Sequence, residues 1–437
     1  MIFSQLVDDD LGCASYLVGC EEAGEVVAVD PPYGIEPLLA EAARRGGRIV
    51  RVVETHTHAD HLSGHGRLAL EHGLPVSIHA AAEAEYPHDP MADGDEIRVG
   101  NVSLRCIHTP GHRPEHSCLA VIDHTRAEEP WLLLTGDSLF VGDTARPDLA
   151  VGAEEGAEGL FTSLHRLLEL PDGVEVYPGH VAGSLCGKGM SSKASTTIGF
   201  ERRFNPMLRF DAVDEFVAES ASIGAPKPPN LGRIVALNRG PWVGTPSAVP
   251  ELPAPPDGAQ LLDVRPLESF LAGHRHAAVS VPVATKGYAT KAGFVLDPER
   301  PVCVLASSAE EAERAVRGLR SVAFLDIAGF VLGGGEETMG SVPFDELEAL
   351  VADEAVLVLD VREPEDWEAG TVNGSRNLPY RLVREEAANL PRDRPIVTVC
   401  ESGPRAGVAA SILQAEGVDA RPVVGGGTAD WLARTRA

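Results

Sequence analysis

The chain has 437 residues, 44% apolar and 23% charged, which is too long for a single core and suits a soluble globular protein of about three domains. A formal net charge of −28 argues against nucleic acid or an anionic membrane as partner, and no apolar run approaches the roughly 20 residues of a membrane span. The seven cysteines, Cys13, Cys20, Cys106, Cys118, Cys186, Cys303 and Cys400, are scattered and form no CxxC pair, so neither a disulfide framework nor a cysteine zinc site is expected.

Met1–Gln5 shows no basic region followed by an apolar one, so a secretory signal is not expected and a cytoplasmic location is. Apolar segments at 14–18 and 25–29 predict a hairpin ending at Asp30-Pro31-Pro32, and 35–45 predicts a helix stopped by Gly46-Gly47. Ile49-Val50-Arg51-Val52-Val53 reads as a buried strand. Glu54-Thr55-His56-Thr57-His58-Ala59-Asp60-His61-Leu62-Ser63-Gly64 follows it, with Leu62 to His72 predicted as a helix. Three imidazoles and a carboxylate in six residues at a strand end suit Zn, Fe or Mn, and the two-residue spacing of His56 and His58 lets both face one way.

Further strands are expected at 76–79, 96–99, 102–107, 118–122, 131–135 and 174–177, with helices at 155–169 and 196–205. Three more ligand-type residues fall just past strand ends beside turn-forming glycine or proline: His112 in Thr109-Pro110-Gly111-His112, Asp137 in Thr135-Gly136-Asp137, and His180 in Tyr177-Pro178-Gly179-His180. Four such strand ends in one chain point to one convergent metal site in an α/β sandwich of two sheets with helices outside.

His-x-His-x-Asp-His followed by Gly-His, Gly-Asp and Gly-His resembles the metallo-β-lactamase superfamily over about the first 240 residues, which implies an αββα sandwich. Thr-Pro-Gly-His-Arg-Pro-Glu-His-Ser and Thr-Gly-Asp-Ser-Leu-Phe-Val-Gly-Asp-Thr-Ala-Arg-Pro-Asp-Leu are similar to its persulfide dioxygenase branch, with Ala145 where that branch has Gly. The resemblance implies one Fe(II) per chain on His56, His112 and Asp137, with His58, Asp60, His61 and His180 orienting ligands or handling protons. It implies O2 and a low-molecular-weight persulfide, such as that of glutathione, as substrates. The competing implication is two zinc ions, with Asp60, His61 and His180 as the second ligand set, in a thioester hydrolase of the glyoxalase type. Arg146 and Lys188 are the basic residues expected near the mouth for an acidic thiol, and Cys186 reads as a small buried side chain.

Pro226-Lys227-Pro228-Pro229 is expected to close this domain, taken as residues 1–245, and the proline-crowded 246–258 reads as a stiff spacer. Beyond it the chain repeats itself: with Asp263 laid on Asp360, Gly273 meets Gly370 and Val281-Pro282 meets Leu378-Pro379. Two tandem parallel α/β domains, 259–338 and 344–437, follow. In the second, Cys400-Glu401-Ser402-Gly403-Pro404-Arg405 joins a strand to a helix, where backbone N–H groups and the helix end favour a thiolate and Arg405 can bind an anion. Asp360-Val361-Arg362, this Cys-x4-Arg loop and Gly425-Gly426-Gly427 to Trp431 resemble a rhodanese, which implies a persulfide on Cys400 and thiosulfate or sulfite as partners. The first copy has Ala306 in the nucleophile's place and no closing Arg, which implies an inactive rhodanese. Assembly into a homo-oligomer is left open.

Overall fold

The computed structural model describes residues 1–147, 152–181, 190–221, 226–352 and 355–435. The chain divides into two compact units, Met1–Pro246 with Arg320–Ala323, and Ser247–Leu319 with Phe324–Ala437.

The first unit contains two six-stranded sheets. One runs in chain order from Ile2–Val7 through Ala14–Cys20, Glu25–Val29, Arg48–Val53 and Val76–His79 to Asp89–Met91; its first two pairings are antiparallel and the rest parallel. The other orders Thr196–Thr197, Glu175–Pro178, Leu132–Gly136, Ser117–Asp123, Val102–His108 and Glu96–Val99, with Leu132–Gly136 and Glu175–Pro178 its parallel pair. Strand alternation builds three layers of core. Val27 and Val29 point between the sheets to meet Leu119, Val121, Leu132 and Leu134. Val26 and Ala28 point outward onto Leu38 and Ala42 of the helix Glu36–Arg44 and Leu68 of the helix His65–His72. On the other side Ala120 and Leu133 pack on Leu160 and Leu164 of the helix Ala153–Leu167. Because both faces of the central strands are covered, these strands read as unbroken apolar runs.

Three local features differ from the sequence reading. The helix expected from Leu62 begins at His65, because Ser63 is drawn off by side-chain and main-chain hydrogen bonds. Pro226–Pro229 does not close the unit: the helix Leu231–Arg239 follows, and Trp242 stacks on Tyr86 with ring centroids 4.1 Å apart. The strand Ile2–Val7 and this helix were not anticipated.

The second unit holds two parallel sheets. The first orders Val279–Ser280, Gln260–Asp263, Val302–Ala306 and Ile327–Leu332. The second orders Val342–Pro343, Ala420–Val424, Ile396–Val399, Leu357–Asp360 and Arg376–Asn377. The proline-crowded stretch is more than a spacer. Leu252 donates its N–H to the Phe330 carbonyl (2.7 Å) and Phe330 donates to the Pro250 carbonyl (2.9 Å), laying residues 250–252 along the edge strand Ile327–Leu332.

The repeat is visible as one clamp made twice. Arg265 donates to Asp263 from Nε (2.9 Å) and Nη2 (2.6 Å) and to the Gly273 carbonyl (2.8 Å). Arg362 does the same to Asp360 (3.0 and 2.7 Å) and the Gly370 carbonyl (2.6 Å). A buried aspartate is paired with a guanidinium in each copy, the arrangement that bidentate geometry favours.

Candidate metal centre and cysteine loop

The strand Arg48–Val53 delivers His56, Val102–His108 delivers His112, and Leu132–Gly136 delivers Asp137. One ligand atom from each of these three buried side chains lies within 4.8 Å of the others. The chain must turn sharply at the strand ends, and glycine is required there by space. A Cβ on Gly136, whose φ is +45°, would sit 2.7 Å from both His116 Nε2 and Thr55 Oγ1, and one on Gly179 would sit 2.6 Å from Asp137 Oδ1.

Proton bookkeeping fixes what these atoms present. Thr55 donates its one hydroxyl proton to Asp30 Oδ2 (2.8 Å), so the 2.9 Å contact with His56 Nδ1 makes that nitrogen the donor. His112 Nδ1, 3.0 Å from the Arg146 carbonyl, must likewise donate. Each ring therefore turns the lone pair of Nε2 inward. Asp137 Oδ1 is held by His180 Nδ1 at 2.7 Å, leaving Oδ2 to face His112 Nε2 at 3.6 Å. Among the described residues His56 Nε2 and Asp137 Oδ2 are buried polar atoms with no hydrogen-bond partner. Three buried acceptors converging with no donor among them is an arrangement that a cation completes.

Electrostatics agree with neutral imidazoles. Burial, followed by the rings of His58, His112 and His116, pushes His56 well below its ordinary value. Burial also lowers His112, against the pull of Asp137. Burial works against ionisation of Asp137, yet His180 and His112 hold its carboxyl well below the usual range.

The remaining four sequence candidates lie beside this cluster in two groups. Asp60 accepts from His180 Nε2 (2.7 Å) through Oδ2 and contacts His61 Nδ1 (3.0 Å) through Oδ1, so both nitrogens of His180 face carboxylates. Cys13, overlooked in the sequence, joins them, with Sγ 3.4 Å from His61 Nδ1, 3.3 Å from His180 Nε2 and 3.6 Å from Asp60 Oδ2. One ligand atom from each of these four also lies within 4.8 Å of the others. The His58 ring lies 4.3 Å from that of His56, but its Nε2 is beside carboxylates, 3.1 Å from Glu54 Oε2 and 3.3 Å from Asp30 Oδ1. Burial and His61 oppose its charge, but those two carboxylates push His58 up to about 9.

Supporting residues come from places with no motif. Asp30, at φ +48°, takes the Thr55 N–H at 2.7 Å; His116 Nε2 accepts the Asp137 N–H at 2.9 Å; Glu115 accepts the Thr57 N–H at 3.0 Å. A non-glycine residue held at positive φ beside such a site is where backbone strain is expected. Arg146, expected near the mouth, is 5% exposed, and its carbonyl serves His112. Lys188 and Cys186 lie outside the described residues.

In the second unit Cys400 is buried at the end of the strand Ile396–Val399, and Gly403 donates its N–H to Sγ at 3.1 Å. Glu401, Ser402, Gly403 and Pro404 carry the chain into the helix Pro404–Ala415. Gly427 closes the loop from behind, since a Cβ there would lie 2.1 Å from the Glu401 carbonyl oxygen. Arg405 contacts Asp366 (3.4 Å) and Glu401 (3.7 Å). In the first copy the corresponding helix start is filled internally: Ser307 donates its N–H to Glu311 Oε2 at 2.5 Å, and Cys303 is fully buried in its strand.

Residues 8–180 match the metallo-beta-lactamase superfamily and residues 343–434 the rhodanese-like domain. The chain is 31% identical to the mitochondrial persulfide dioxygenase ETHE1 of Homo sapiens over 239 residues, 54% of this chain and 86% of that protein. It is 32% identical to the hydroxyacylglutathione hydrolase of Polaromonas sp. over 224 residues, 45% of this chain and 81% of that protein. A metallo-beta-lactamase structure from Staphylococcus aureus matches with a TM-score of 0.70 at 28% identity, over 76% of this chain and 99% of that one. Among the described residues no helix is long and apolar enough to cross a membrane. With its sandwich, its strand-end cluster and these relatives together, the chain belongs to the metallo-beta-lactamase superfamily, among persulfide dioxygenase homologues, and carries a rhodanese-like domain at its C-terminal end.

Proposed function

We propose that the first unit is an Fe(II)-dependent dioxygenase converting a low-molecular-weight persulfide to sulfite and thiol, R–S–SH + O2 + H2O → R–SH + SO3²⁻ + 2H⁺. The observation that carries this reading is the set of two Nε2 lone pairs and one carboxylate oxygen, with His58 Nε2 lying beside Glu54 and Asp30. Two histidines and one carboxylate would leave a ferrous ion an open face for O2 and a persulfide sulfur together. The residues around it act on position and protons. Thr55 and the Arg146 carbonyl hold the two imidazoles in the Nδ1–H form, His180 selects the Asp137 oxygen that faces inward, and burial keeps bulk water away. His180, hydrogen-bonded at 2.7 Å to Asp60 through one ring nitrogen and to Asp137 through the other, keeps the inward carboxylate in place. Similarity to persulfide dioxygenases and the rhodanese-like domain both support a sulfur-metabolising enzyme.

Cys400 would carry sulfane sulfur between thiosulfate and thiol. Its thiolate attacks the outer sulfur, the S–S bond to the sulfonate breaks with its electron pair, and sulfite leaves, so a persulfide remains on Cys400. Arg405 and the Gly403 N–H face that loop and suit the anion. The fold of residues 259–338 and its repeated Asp–Arg clamp support a catalytically silent rhodanese copy.

Oxygen consumption by the iron-loaded chain with glutathione persulfide, lost in His112→Ala, tests the dioxygenase. No consumption by the loaded parent protein ends the idea. The Cys13, Asp60, His61 and His180 group keeps a two-zinc hydrolase as the second reading. Metal analysis separates them, one iron per chain against two zinc.

A further inference from the structure

The turn from His58 to Ser63 is gripped by one amide from far along the chain. Asn238 lies near the end of the helix Leu231–Arg239 and is 2% exposed. Its Nδ2 donates to the main-chain carbonyls of His58 (3.0 Å) and His61 (2.7 Å), and its Oδ1 accepts the N–H of Ser63 (2.9 Å). These partners determine the amide's orientation, because two carbonyls can be met only by the NH2 group and a main-chain N–H only by oxygen. Both amide protons are used.

The helix that presents Asn238 is itself tied down. Glu85 donates its N–H to the Arg239 carbonyl at 2.7 Å, Trp242 stacks on Tyr86, and Tyr33 donates to the Gly244 carbonyl at 2.9 Å. The gripped turn carries Asp60, whose Oδ2 holds His180 Nε2, and the other nitrogen of His180 holds Asp137 Oδ1. Asn238 is therefore linked to one of the three side chains of the metal cluster through its hydrogen bonds to the turn, the backbone of that turn, and the Asp60–His180–Asp137 hydrogen bonds. Asn238 also lies beyond residue 180, where the matched superfamily region ends.

We propose that Asn238 is a positioning residue of the metal centre, acting through the His58–Ser63 turn and the Asp60–His180 pair to set which way the Asp137 carboxylate faces. The inference rests on the metal-holding part of the proposed function and on no particular reaction.

Asn238→Asp in the full chain keeps the side-chain shape and sets an oxygen against two carbonyl oxygens. Co(II) is titrated into the metal-free protein, with affinity read by chelator competition and geometry by the visible absorption of the saturated form. The expected result is a dissociation constant raised by about ten- to a hundred-fold, with an altered absorption envelope. Asn238→Ser, which keeps one short donor, is expected to fall between the two and decides the matter if the aspartate variant does not fold. An unchanged dissociation constant and unchanged spectrum in the folded variant overturn the proposal, even where the metal-free protein melts earlier, because that pattern marks a purely structural amide. Cobalt alone is the probe, so an inactive oxygenase leaves this outcome readable.

Discussion

Asp137 Oδ1 lies 2.7 Å from His180 Nδ1, so a residue outside the three-atom cluster decides which carboxylate oxygen the cluster receives. His180→Ala is therefore expected to lower metal affinity by about ten- to a hundred-fold without abolishing binding. Asp137→Ala is expected to leave no stoichiometric metal after dialysis. Equal metal content in His180→Ala and the parent at limiting iron contradicts the role given to His180.

Thr55 stands between Asp30 and His56 as donor to one and acceptor from the other. Thr55→Val preserves shape and leaves the His56 Nδ1 proton and Asp30 Oδ2 without that partner. Urea denaturation of the metal-free protein should show a loss of roughly 1–3 kcal/mol, the cost of stranding buried polar groups. Iron affinity should fall with it, since nothing then holds His56 in the Nδ1–H form.

The backbone of Asp137 depends on a neutral His116. Burial, followed by the neighbouring ring of His112, pushes His116 down to about 3, below the ordinary value of 6.5. A histidine lowered on folding binds its proton in the unfolded chain first. Stability from this residue is thus complete above about pH 6.5 and is lost progressively as pH falls toward 3. Ring nitrogen shifts in NMR should report the Nδ1–H form of His116 at pH 5, and an imidazolium signal there contradicts the assignment.

Both Asp–Arg clamps should be costly to break, the first the more so, because Thr371 Oγ1 also donates to Asp360 Oδ2 at 2.6 Å. Asp263 and Asp360 are each fully buried, so Arg265→Ala or Arg362→Ala strands a carboxylate, for which about 3–5 kcal/mol is the usual penalty. Denaturation midpoints of the two variants measure this. A loss in Arg362→Ala alone argues that the first copy does not use its clamp.

Sulfur transfer from thiosulfate to cyanide should vanish in Cys400→Ser. Ala306→Cys, which restores only the missing nucleophile, should gain none, because Glu311 already occupies the Ser307 N–H that an anion needs. Activity surviving Cys400→Ser removes the assignment of that thiol.

The sandwich was legible because burial on both faces writes itself as apolar strands: Val26 to Val29 and Leu132 to Leu134 serve two cores at once. The strand Ile2–Val7 was not, being half-buried at a sheet edge, where the apolar signal is diluted. The strand-end residues His56, His112, Asp137 and His180 stood out by residue type and neighbouring glycine. Their supports did not. Asp30 looked like a turn residue before two prolines, Cys13 like one scattered thiol among seven, and Asn238 meets His58 across 180 positions of sequence. Hydrogen bonds from common polar residues over such separations leave no periodicity to read. Arg146 stood out by its charge, whereas the contact of its carbonyl with His112 Nδ1 had no sequence signal.

The proline-rich run laid along Ile327–Leu332 has a further consequence. An open parallel edge with Phe330 and Val331 in it is a template for pairing with a neighbouring molecule. Residues 250–252 occupy that template, and Pro253, which has no N–H to offer, stops the added strand from recruiting another. Cutting the run away should therefore leave the second unit folded but prone to self-association, so that what reads as a tether doubles as a guard against aggregation.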